Sequence, residues 1–141
     1  MADCVFCRVV ENGDELIIRN DEVAAFLDHR PVFAGHALIV PVIHVATLAE
    51  LPPALMAPLL QMAQRLMAAL HEVVGAEGTF VAINNIVSQS VPHLHLHVVP
   101  RRRKDGLRGF FWPRHPYADD DERRTMRDRL AQALQTDQRP R

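Results

Sequence analysis

His93-Leu94-His95-Leu96-His97 puts an imidazole at every second position, with leucines between them. In extended chain, residues i, i+2 and i+4 share a face, so the three rings point one way and Leu94, Leu96 and Val98 the other. The alternation specifies a strand with one apolar face against a core and one face rich in titratable nitrogen. A half-exposed strand with histidine on its wet side carries the same pattern. Histidine is not a favoured strand residue, however, and three in register are hard to explain by packing. The other reading is a site that uses imidazole as nucleophile, proton shuttle or metal ligand.

The remaining pattern sets that strand in an α+β fold. Residues 15–19, 23–27 and 36–41 read as strands, with turn signals at Asn20-Asp21 and a loop from His29 to Gly35. Residues 54–74 carry a wide helical stripe of apolar side chains, with Pro52 and Pro53 at the entry and Gly75 at the exit. Residues 79–84 and 93–99 read as the fourth and fifth strands, and 119–135 as a polar terminal helix with Asp119 to Glu122 at its positive end. Residues 1–13 hold Cys4-Val5-Phe6-Cys7 and a polar turn. The order β-β-β-α-β-β-α lacks regular βαβ crossovers and implies a five-stranded antiparallel sheet with one long and one C-terminal helix.

With 141 residues, no internal repeat and no low-complexity linker, the chain reads as a single domain, 1–141, whose core is about 4–100. No apolar run approaches the ~20 residues of a spanning helix. Met1-Ala2-Asp3-Cys4 shows no secretory pattern, so a cytoplasmic location without membrane association is expected. A net charge of −1 argues against bulk attraction to nucleic-acid polymers.

The segment before the histidines, Asn84-Asn85-Ile86-Val87-Ser88-Gln89-Ser90-Val91-Pro92, supplies neutral amide and hydroxyl donors beside them. Such donors suit an anionic phosphate. Together with this flank, His93 to Pro100 resembles the signature of the histidine-triad family, His-φ-His-φ-His-φ-φ with φ apolar. Cys4 to Cys7, Phe26-Leu27-Asp28 and Gly35 to His44 match segments of the same family in the same order, so the resemblance covers about residues 4–100.

The resemblance implies a histidine-triad fold, usually a homodimer whose sheets join, and a nucleotide substrate. It implies hydrolysis or transfer at the α-phosphate of a phosphoramidate, a dinucleoside polyphosphate or a similar conjugate, through a nucleotidyl-histidine intermediate. His95 would be the nucleophile, with His97 and His36 orienting the phosphate and the hydrogen-bond network. Asn85, Gln89 and Ser90 would donate to phosphate oxygens. Asp28 would hold the ribose hydroxyls, with Phe26 and Leu38 beside the base. The sequence departs from the family at Ser88, where glycine is common, and at Pro92, which lacks an N–H.

CxxC alone leaves open whether Cys4 and Cys7 are small buried residues or metal ligands. The resemblance implies zinc, with Cys4, Cys7, His44 and His93 forming a closed, structural Cys₂His₂ set; no organic cofactor is implied. Arg101 to Lys104 and the stretch Arg108 to Arg114 admit two readings. One is a solvated basic turn with an aromatic anchor. The other is cations that contact a polyphosphate or acidic leaving group. Two rival functions are a nucleotide-binding regulator with negligible turnover and a zinc or redox module built on CxxC. The second leaves the triad without a purpose.

Overall fold

The computed structural model describes residues 3–108 and 113–137. It contains two compact units, divided after Asp105. The first holds α1 (Val5–Asn12), β1 (Leu16–Arg19), β2 (Val23–Leu27), β3 (Ala37–Pro41), α2 (Met56–Val74), β4 (Gly78–Ile83) and β5 (Leu96–Arg101). Short 3₁₀ turns at Leu48–Glu50 and Pro53–Leu55 lead into α2. The sheet is antiparallel throughout, in the order β1-β2-β3-β5-β4.

The two central strands are covered on both faces, which is why β3 reads Ala-Leu-Ile-Val-Pro without polar alternation and is buried along its whole length. Alternate positions along each strand go to different partners. Val23, Ala25, Ala37, Ile39, Leu96 and Val98 pack with Leu59, Met62, Leu66 and Leu70 of α2. Ala24, Phe26, Leu38 and Val40 pack on the opposite face against Phe6 and Val10 of α1. Each large aliphatic side chain so buried stabilises the fold by about 1.5–3 kcal/mol before entropy is counted.

α1 is the element the sequence pattern did not separate from the CxxC motif. Its N-cap is Cys4, whose Sγ accepts a hydrogen bond from the Cys7 N–H at 3.4 Å, and it ends at Gly13 in the left-handed conformation, φ +82°. α2 ends as expected at Gly75, φ +66°. Gly35 sits where the β2–β3 connection crosses α2. Its φ is +98°, and a Cβ there would lie 2.9 Å from Leu70 Cδ2, so only glycine lets the chain pass that closely and enter β3 at His36.

Residues 93–95 differ from the strand expected over 93–99. β5 begins only at Leu96, although Leu94 still packs in the core and its N–H still bonds the Val45 carbonyl at 2.7 Å. The alternation of faces survives while the ladder does not, because the His93 side chain turns toward α1 and the His44 loop.

Arg101 and Arg102 are engaged within this unit. Arg101 makes two hydrogen bonds to the Asp105 carboxylate, at 2.6 and 3.0 Å, and Arg102 donates to the Val74 carbonyl at the C-terminal end of α2. A cation at the negative end of a helix is a capping contact. Both side chains therefore have partners within this unit. Gly109 to Trp112, the aromatic part of that segment, lie outside the described residues.

The second unit holds α3 (Asp120–Gln135), capped by Asp119, whose carboxylate accepts from the Glu122 N–H at 2.8 Å. Its first turn carries Asp120, Asp121 and Glu122, the placement that the helix dipole favours. Among the described residues no helix is long and apolar enough to cross a membrane.

Candidate active site and metal cluster

The register of three strands builds a floor. Phe26 of β2 lies opposite Leu38 of β3, and Leu38 lies opposite His97 of β5. Directly paired residues of antiparallel strands share a face, so Phe26, Leu38 and His97 form one row. At the end of β2, the Asp28 N–H bonds the His36 carbonyl at 2.9 Å across the connection, which brings Asp28 and His36 beside that row. A cavity of about 240 Å³ opens over the floor, lined by Phe26, Asp28, Leu38, Ser90, His95 and His97 together with residues of α1.

Hydrogen-bond partners fix which nitrogen of each imidazole carries its proton. The His95 ring faces the His93 carbonyl with Nδ1 at 2.8 Å. A carbonyl only accepts, so Nδ1 holds the proton and Nε2 keeps a lone pair. The Val32 N–H donates to His36 Nδ1 at 3.0 Å, which leaves the proton of His36 on Nε2. His36 Nε2–H then donates to His97 Nδ1 at 2.9 Å, and His97 carries its proton on Nε2. The arrangement yields a bare nitrogen on His95 and an N–H on His97, with ring centroids 4.9 Å apart. That places an unprotonated ring nitrogen beside a neutral hydrogen-bond donor.

Burial keeps His97 and His36 neutral. It lowers the pKa of His97 to about 4, and the neighbouring His95 and His36 push the same way against the attraction of Asp28. Burial also lowers His36, again opposed by Asp28. A histidine held neutral in the fold takes its proton in the unfolded chain first, near pH 6.5. The stability due to neutral His97 is therefore present above about 6.5 and is lost as pH falls from there to about 4. Urea midpoints measured from pH 7.5 to 4.5 should fall, and His97→Asn should show a shallower acid decline than the native chain.

The loop before the histidines is braced within itself and against the segment that follows β3. Gln89 Oε1 accepts from the Ile86 N–H at 2.9 Å and its Nε2 donates to the Ala46 carbonyl at 2.6 Å. Asn85 Oδ1 accepts from the Leu48 N–H at 2.8 Å. These bonds hold two non-glycine residues, Ile86 at φ +70° and Ser88 at φ +61°, in the left-handed region. Glycine is the easy residue there, so Ser88 holds a conformation that its Cβ disfavours. Of the three expected donors only Ser90 lines the cavity. The Gln89 amide ties the loop to Ala46 and to its own Ile86, which fixes the loop's course toward Ser90.

A second cluster lies beside the cavity. Ligand atoms of Cys4, Cys7, His44 and His93 all lie within 4.8 Å of one another. His93 Nδ1 is 3.4 Å from Cys4 Sγ and 3.5 Å from Cys7 Sγ, and His44 Nδ1 is 3.5 Å from Cys7 Sγ. In a zinc tetrahedron with ordinary bond lengths the S···N edge is about 3.6 Å. His93 Nε2 donates to the Pro41 carbonyl at 2.9 Å, so the nitrogen facing the thiols carries the lone pair. A metal-binding histidine is oriented by such a second-shell bond. The residues therefore fit a tetrahedral zinc. Asp28, His36 and His97 also lie within that range. They do not fit as ligands, because Val32 commits the nearer nitrogen of His36 to its proton.

The cavity also draws on residues outside the sequence-based expectation. Val5, Phe6 and Val9 of α1 form one wall, and the Glu15–His29 pair, 2.7 Å apart, stands at the rim. Apolar residues at Val5, Phe6, Val9 and Val10 followed by Gly13 were the available signal for a capped amphipathic helix.

A sequence model described as HIT domain matches residues 9–104. An adenosine 5′-monophosphoramidase of Schizosaccharomyces pombe is 33% identical over 123 residues, 84% of this chain and 89% of that protein. An adenylylsulfatase of Arabidopsis thaliana is 30% identical over 109 residues, 74% of this chain; the match spans only 55% of that longer relative. Among solved structures, a zinc-bound histidine triad family protein from Mycobacterium smegmatis superposes with a TM-score of 0.70 at 33% identity, covering 96% of this chain and 99% of that one. A HIT family protein from Bacillus subtilis gives 0.80 at 26% identity, covering 92% and 96%.

Proposed function

The chain belongs to the histidine-triad (HIT) family, and from that premise we propose that it is a nucleotide hydrolase or nucleotidyl transferase acting at the α-phosphate of nucleotide conjugates. The observation that carries this reading is the pairing of a bare His95 Nε2 with a His97 Nε2–H in one apolar cavity. The phosphoramidase and adenylylsulfatase names of the relatives support the same class of bond.

In the proposed cycle the nucleoside rests on Phe26 and Leu38 with its ribose hydroxyls on Asp28. Ser90 and His97 Nε2–H hydrogen-bond the phosphate. The His95 Nε2 lone pair attacks the α-phosphorus, forming a P–N bond as the bond to the leaving nitrogen or oxygen breaks. The leaving group takes a proton from solvent, with His97 placed to hydrogen-bond it. The adduct is cationic on the imidazole, and the His93 carbonyl stabilises it by accepting from Nδ1. Water then attacks phosphorus and loses a proton to solvent, the P–N bond breaks, and His95 regains its lone pair. Splitting one displacement into two lowers the barrier of each.

Zinc at Cys4, Cys7, His44 and His93 would be structural, since four protein ligands leave no open position for substrate. On this reading residues 1–141 act as one family domain in the cytoplasm. A second copy would join at the outer edge of β4, the side away from β5, which pairs with no strand among the described residues.

The test is a panel of adenosine phosphoramidate, diadenosine polyphosphates and adenylyl sulfate, compared by kcat/KM. Turnover of at least one at an enzymatic rate is expected. Nucleotide binding without turnover of any would favour the regulatory reading instead.

A further inference from the structure

α1 belongs to two sites at once. Cys4 at its cap and Cys7 in its first turn face His44 and His93. Val5, Phe6 and Val9 of the same helix form a wall of the cavity. Phe6 lies between the cysteines in sequence, and its ring touches both sites. It meets His95 edge-on at 5.1 Å and 85°, Phe26 at 5.1 Å, and His93 at 6.1 Å. It is 8% exposed, so it is packed between these rings. Whatever fixes the first turn of α1 therefore fixes one face of His95 and one wall of the nucleotide cavity.

α1 is also a short element, and its first turn is the part that carries the cysteines. It is only eight residues long, and only Phe6, Cys7 and Val10 of it are buried. A helix this short has little stability of its own. Its contacts with the sheet include the packing of Phe6 and Val10, the hydrogen bond of the Arg19 guanidinium to the Val10 carbonyl at 2.9 Å, and, at its first turn, the thiol contacts to His93 and His44. Four ligands on a metal would pin its first turn at the place where Phe6 enters the cavity.

We propose that metal binding at the cysteine–histidine cluster and nucleotide binding in the cavity are thermodynamically linked through Phe6. A nucleotide that packs on the Phe6 wall favours the position of α1 in which Cys4 and Cys7 meet His44 and His93. By linkage, each ligand strengthens the other by the same factor. Phe6 is then a positioning residue, acting on substrate through His95 and the cavity wall. The inference rests on the nucleotide reading of the cavity and adds to it a metal-dependent affinity.

The experiment uses the zinc-loaded full chain. Zinc is competed away with a chromophoric chelator, with and without saturating AMP, and a protein-free control corrects for zinc held by AMP. AMP affinity of the loaded chain is measured separately by calorimetry. AMP is expected to tighten the apparent zinc affinity about 5-fold or more, the lower end of ordinary couplings. Phe6→Leu, which keeps an apolar core residue, should retain one zinc per chain while bringing that ratio close to one; Phe6→Ala should do the same more completely. If AMP does not bind the loaded chain, the nucleotide reading falls and the linkage with it. If AMP binds and zinc affinity is unchanged, the linkage is overturned while the nucleotide reading stands. A native ratio in Phe6→Leu and in folded Phe6→Ala would overturn the role of Phe6.

Discussion

His95→Ala is expected to lower kcat by roughly 10⁴-fold or more, the scale seen when a covalent nucleophile is removed. The expectation follows from the tautomer. The His93 carbonyl holds the His95 proton on Nδ1, so Nε2 is the unprotonated nitrogen of a ring that lines the cavity. No neighbouring imidazole can substitute. His97 has its proton on the Nε2 edge and its other nitrogen occupied by His36, and His93 is turned to the cysteines. Binding of a nucleoside monophosphate should survive, because Phe26, Leu38 and Asp28 remain. His95 packs edge-on against Phe6, so a melting curve must accompany the kinetics. A folded His95→Ala chain that keeps kcat within tenfold of native would remove His95 from the nucleophile's role.

The second large effect is on stability. Purified chain should carry about one zinc, and Cys7→Ser should reduce both zinc content and melting temperature. Cys7 is buried, and burial, with help from its hydrogen bond to Cys4, raises its thiol pKa. An isolated thiolate is thus disfavoured at this place, and a cation is what would make it favourable. Breaking the set leaves His93, fully buried, facing an incomplete shell. A loss of roughly 3 kcal/mol or more is expected, on the order of 10 °C in Tm for a chain of this size. The kcat of the fraction that stays folded should fall much less, since the ligands lie outside the cavity floor. Zinc-free protein with an unchanged melting temperature would show that the cluster packs without metal.

The sheet and the triad were legible because both are written in local periodicity. The alternation at His93 to His97 gives faces directly, and the stripe over 54–74 gives α2 with its glycine stop. What the sequence hid was decided at long range. α1 was masked by its own cysteines, since a CxxC motif invites a ligand reading while the i, i+3 spacing that joins Cys4 and Cys7 is also one helical turn. The start of β5 moved to Leu96 because His93 is drawn to residues far away in sequence. Gln89 reads as a phosphate donor by type, and only the fold shows that its amide also bonds Ile86 and Ala46. The basic turn gave no sign in the sequence that Arg102 bonds the Val74 carbonyl at the end of α2. Residue type and order announce the chemistry; which donors remain free for a ligand depends on the partners that folding brings.

The central claim is that His95 itself becomes covalently nucleotidylated. Native chain mixed with excess adenosine phosphoramidate or diadenosine polyphosphate should be quenched within a turnover, under conditions that preserve a phosphoramidate bond, and its peptides read by mass spectrometry. The account predicts one adenylyl group per modified chain, on His95, absent from His95→Ala and disappearing as product accumulates. Turnover at the native rate with no adduct on His95 at any quench time, or with the adduct on His97 or His36, would contradict it.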